Sequence, residues 1–152
     1  MNQSQLYLKT VFCCIACDGE IVESELAVLY EIVHESEDLF KDVDVRQTLV
    51  GFLEEIRTRG HAFLKDYLSE LTEADLPEDE QLKVLDLCFR SIESDNNITR
   101  EEMGFFKQVR ACLPISDERI LEEMPDKEDY LLPDIRQDDY FSFDIPWNSL
   151  SI

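Results

Sequence analysis

A chain of 152 residues is long enough to bury a substantial hydrophobic core in one domain. Its 35 acidic against 14 basic residues give a net charge of −21. That balance disfavours direct contact with nucleic-acid phosphates or with an anionic membrane surface, and suits a cation or a basic protein partner.

Four Gly and five Pro are few, so long uninterrupted stretches favour helices. The spacing predicts a first helix over residues 4–17, where Leu6, Val11, Phe12, Ile15 and Ala16 make a broad apolar face. The stretch Asp18-Gly19-Glu20-Ile21 ends it as a tight turn, because Gly tolerates positive φ. A second helix follows over residues 23–36, with Leu26, Leu29, Ile32 and Val33 inward. Glu23 and Glu25 sit in its first turn, where the helix dipole favours acids. His34 near its end reads as a structural or surface residue. Residues 37–44 read as an acidic link. A third helix over residues 45–59 carries Leu49, Phe52, Leu53 and Ile56, and Gly60 fits its C-terminal cap. The fourth, over residues 61–71, presents Phe63, Leu64, Tyr67, Leu68 and Leu71, which read as core.

Leu76-Pro77-Glu78 opens a fifth helix running to residue 94, with Leu82, Leu85, Cys88, Phe89 and Ile92 inward. A second acidic turn follows. Thr99-Arg100-Glu101-Glu102 then starts a sixth helix as a capping box, in which Glu102 reaches back to Thr99. Met103, Phe106, Val109 and Leu113 face inward, and Pro114 stops the helix. Ser116 caps a short seventh helix to residue 124. From residue 125 the composition changes to an acidic tail carrying Tyr140-Phe141-Ser142-Phe143-Asp144-Ile145-Pro146-Trp147. So many large apolar groups suit a segment that wraps its own domain or docks on a partner through Phe141, Phe143 and Trp147. The expected architecture is all-α: about seven helices in two pseudo-symmetric halves at residues 1–124, and an extended tail at 125–152.

The halves are visible as a repeat. Asp18 to Glu25 aligns without a gap on Asp95 to Glu102, an offset of 95 − 18 = 77, and the apolar flanks agree. Phe12 falls on Phe89, Ile15 on Ile92, Leu26 on Met103 and Leu29 on Phe106. Hard cations take oxygen ligands, and carboxylates on tight turns supply them. Neither copy is a complete EF-hand loop, since the front ligand positions fall on Cys14 and Ala16 or on Ser91 and Glu93. A site shared between the turns would draw on Asp18, Glu20, Glu25, Asp95, Asn97 and Glu102. Against this, Asp-Gly is a common turn, and Glu25 and Glu102 stand where capping glutamates belong.

Cys14 and Cys17 form a C-x-x-C without a strand context or a second zinc half-site, so the five cysteines read as reduced thiols, four of them in apolar helical patterns. No signal peptide and no apolar run near ~20 residues is visible, which points to a cytoplasmic protein. No nucleophile–base set or phosphate loop appears, so no enzyme is expected.

Ala16-Cys17-Asp18-Gly19-Glu20-Ile21, echoed at Asp95-Asn96-Asn97-Ile98, resembles the tellurite-resistance protein B family over residues 6–121. The second copy departs from the family pattern at Asn96 and Asn97. The resemblance implies a pseudo-symmetric helical bundle and a non-enzymatic binding or scaffolding module in stress or defence. It also implies an acidic cluster at the two turns able to hold Ca²⁺ or Mg²⁺ weakly. An alternative from charge alone is an inhibitor or immunity-type protein that blocks a basic partner such as a nuclease.

Overall fold

The computed structural model describes residues 2–17, 19, 21, 23–94 and 98–131. Among them are eight α-helices and no strand: α1 (Gln3–Ala16), α2 (Glu23–Glu35), α3 (Val45–Arg59), α4 (His61–Glu73), α5 (Glu78–Ile92), α6 (Arg100–Ala111), α7 (Asp117–Glu123) and α8 (Glu128–Leu131). Local chemistry sets their ends, at Gly60 and Ser116 as expected. Asp44 and Ser116 cap α3 and α7 through their side chains. Gly60 takes φ 59° and donates its N–H to Ile56, closing α3. Gly19 takes φ 87° after α1 and donates its N–H to Ala16, a left-handed conformation that only Gly adopts cheaply.

The centre of the molecule is α1. Every residue from Leu6 to Cys17 is buried, including Lys9 and Thr10, because α2, α3, α4, α5 and α6 all pack around it. The sequence expectation was a helix with one broad apolar face; the structure buries its whole circumference. Thr10 fits because its hydroxyl donates to the Leu6 carbonyl at 2.8 Å and meets the Tyr67 hydroxyl at 2.6 Å. Lys9 fits because its ammonium reaches both Glu70 oxygens, at 2.6 and 2.8 Å, and lies 4.6 Å from the Phe63 ring centre.

Two short elements depart from the sequence reading. Part of the acidic link is a 3₁₀ turn, Glu37–Phe40, whose Phe40 is buried against α1. The helical body also runs on past residue 125, through a second 3₁₀ turn (Pro125–Lys127) into α8. Tyr130 of α8 packs on Phe89 and Phe106, with ring centres at 4.8 and 5.7 Å. The buried Gln81 ties two linkers together: its amide donates to the Leu76 carbonyl, and its oxygen accepts from the Ile115 N–H.

The first helices of the two repeats, α1 and α5, form the largest helix–helix contact. They run in the same sense. Tyr7 near the start of α1 lies in the field of Glu80 and Asp79 at the start of α5, and the Cys14 thiol near the end of α1 hydrogen-bonds with Cys88 toward the end of α5. The helix that follows each one packs on the other: α2 on α5, and α6 on α1.

Burial, and then Glu80 and Asp79, push the Tyr7 phenol up to about 12 from its usual 10. The folded state therefore keeps a proton that the unfolded chain gives up. The stability this confers is complete below about pH 10 and is lost as pH rises toward 12, at about 1.4 kcal/mol per pH unit from this group. Urea denaturation at about pH 9 and about pH 11 should show the fall, and Tyr7→Phe should lessen it by this group's share, the raised thiols of Cys13 and Cys14 and the raised phenols of Tyr67 and Tyr130 keeping the rest. An unchanged slope in that variant would refute the assignment.

Candidate functional site

Parallel packing of α1 and α5 puts the ends of both helices, and hence the departures of both acidic turns, at one end of the bundle. The groove between α2 and α5 agrees: Val28 in the first half of α2 faces Glu93 and Ser94, just beyond α5. Of the residues read as ligands, Asp18, Glu20, Asp95 and Asn97 lie outside the described residues. Glu25 is half-buried in the first turn of α2. Glu102 is nearly buried in the first turn of α6.

Glu102 carries out the capping role. Its Oε1 accepts from the Thr99 N–H at 2.9 Å, while the Thr99 hydroxyl accepts from the Glu102 N–H at 3.1 Å. One oxygen of this carboxylate is therefore already engaged. Among the described residues, no group of three or more His, Cys, Asp or Glu side chains is arranged to hold a metal ion.

Sequence reasoning missed the most elaborate polar cluster near this end. Glu93, immediately after α5, accepts from Lys127 at 2.7 Å through Oε1 and from the Tyr130 hydroxyl at 2.7 Å through Oε2. Lys127 also lies 5.2 Å from the Phe89 ring centre. Burial is the largest single influence and works against the charge on Lys127, but the Glu93 hydrogen bond together with the charges of Glu93 and Asp126 outweighs it, so the ammonium stays charged. Burial and the bond to Glu93 likewise push the Tyr130 phenol well above its usual range. Glu93 thus clips α8 onto the second repeat beside its acidic turn. The partners are 34 and 37 positions away, so only a tertiary fold reveals them.

Cys14, the first thiol of the C-x-x-C, is not activated. All five are free thiols, and Cys13, Cys14, Cys17 and Cys88 are buried. Cys17 donates to the Cys14 carbonyl at 3.2 Å, and Cys14 is held protonated by its bond to Cys88 and by burial. A thiol without thiolate character is a poor nucleophile and a poor metal ligand. The aromatic residues read as partner-binding, Phe141, Phe143 and Trp147, lie outside the described residues. No helix among the described residues is long and apolar enough to cross a membrane. Comparison with protein-family models, with curated proteins and with solved structures gave no match.

Proposed function

We propose that this chain is a non-enzymatic binding or scaffolding module of the tellurite-resistance protein B type, with a weak divalent-cation site shared by its two acidic turns. One observation supports the reading above the others: the parallel α1 and α5 deliver both turns to one end of the bundle. Gathered there, Asp18, Glu20, Glu25, Asp95 and Glu102 would repel one another, and a cation would relieve the repulsion. Oxygen ligands on turns favour Ca²⁺ or Mg²⁺ over Zn²⁺. Asn97 lowers the ligand charge, and Glu102 spends Oε1 on its cap, so the affinity is low.

Calorimetry should give a dissociation constant on the order of 10⁻⁴ M or weaker for Ca²⁺, as in low-charge sites. Asp18→Asn should weaken it several-fold further. No heat at millimolar Ca²⁺, or equal heats for the two proteins, would leave the turns as architecture alone.

A second reading rests on a different surface. Glu73, Asp75, Glu78 and Asp79 are all exposed along the α4–α5 connection, and such a ridge suits a basic protein partner in the cytoplasm. Binding there would lose association rate with added salt and be indifferent to Asp18.

A further inference from the structure

The groove between α2 and α5 has a volume of about 270 Å³, below the roughly 300–1,000 Å³ of small-molecule sites and suited to side chains. Val28 and Ile32 supply its apolar surface, and Glu31, Glu35, Arg90 and Glu93 its polar rim. The rim is largely neutralised. Glu35 pairs with Arg90 at 2.8 Å, and Glu93 with Lys127 at 2.7 Å. A cationic segment therefore gains little here, and an apolar one with few charges fits better.

Glu93, on the groove wall, is the same residue that holds Tyr130. Leu131, one residue on and half-buried against the core, is where the described chain ends. Tyr140 lies nine residues further, a reach of up to about 30 Å for an extended chain. The Tyr130 hydroxyl meets Glu93 on the groove wall at 2.7 Å, so chain continuing just after Tyr130 starts within reach of the groove. The segment from Tyr140 to Trp147 holds four aromatic residues and one formal charge, Asp144. Left in water it would be an aggregation liability.

We propose that the α2–α5 groove is the seat of this chain's own aromatic segment, residues 140–147, clipped in place from α8. The Glu93–Tyr130–Lys127 cluster holds α8 beside the groove wall. The groove then takes the Trp147 ring.

Trp147 is the only tryptophan, so its fluorescence in the full chain reports the contact directly. The expected result is a blue-shifted emission with acrylamide quenching several-fold weaker than that of a free indole. Val28→Glu, which charges the groove, and Ser94→Tyr, which fills it from an exposed position, should each move emission to the red and raise quenching. Far-ultraviolet circular dichroism should stay unchanged in both. A water-exposed Trp147 in the unmodified chain overturns the proposal. So does a protected Trp147 that ignores both variants, because the segment then covers another surface. Protection that vanishes on dilution also overturns it, since a second copy is then the occupant.

Discussion

Phe12→Ala should cost about 4 kcal/mol of stability, within the ~3–5 kcal/mol typical of deleting a buried ring. Phe12 is fully buried on α1, and it touches Phe52 of α3 and Phe63 of α4, with ring centres at 5.4 and 5.7 Å. Phe52 and Phe63 are themselves 5.7 Å apart, so the three rings form one cluster that joins three helices. Such pairs add about 0.5–1.5 kcal/mol each beyond area burial. α1 is enclosed on all sides, so the site cannot collapse cheaply around the lost ring. Against a typical total of roughly 5–15 kcal/mol, this single change removes a large share. Urea denaturation measures it, with Phe12→Leu as the milder control. A loss under about 1 kcal/mol would mean that the three rings do not cooperate as their geometry implies.

Phe12 and Phe89 are equivalent positions of the repeat, and they do equivalent work. Phe89 anchors a second cluster with Phe106 and Tyr130, at 5.0 and 4.8 Å. Each cluster carries a lysine on its rings, Lys9 over Phe63 and Lys127 over Phe89, and each lysine is bound by a glutamate, Glu70 or Glu93. The phenylalanines were legible from the sequence, because a gap-free repeat with matching apolar flanks needs no knowledge of the fold. The lysines were not. Lys9 reads as a polar break in an apolar run, and nothing local shows that Glu70, 61 positions away, will meet it. The second lysine comes from the element after residue 125, which acidic composition disguised as tail.

The candidate site divides the same way. The Thr99–Glu102 capping box was readable because its two partners are three residues apart. The expected helices, their caps at Gly60 and Ser116, and the positive φ at Gly19 were readable for the same reason. Which end of the bundle each turn occupies depends on α1 and α5 running parallel. That direction is set by core packing across the repeat, and hydrophobic spacing on either helix alone is silent about it. The Glu93 clip depends on α8 packing against Phe89 and Phe106, and so escaped the sequence altogether.

Glu70→Ala should cost about 3 kcal/mol, the low end of what removing one partner of a buried ion pair costs. The low end applies because the Glu70 side chain is 31% exposed, whereas that of Lys9 is only 7% exposed. The loss comes mainly from what is left behind. Without Glu70, the Lys9 ammonium keeps the faces of Phe63 and Phe52 at 4.6 and 5.8 Å, but it has lost both of its carboxylate hydrogen bonds. Lys9→Met removes the buried charge instead and leaves a carboxylate that can turn toward water, so it should cost less than Glu70→Ala. Lys9→Met with Glu70→Leu should come within about 1 kcal/mol of the original protein, since apolar replacement of a buried pair is often neutral or stabilising. The double-mutant cycle then gives a coupling of the sign that rescues. If the double variant were as unstable as Glu70→Ala, the pair would be contributing net stability through its own bonds, and the account of Lys9 as a charge that α1 buries only because Glu70 accompanies it would fail.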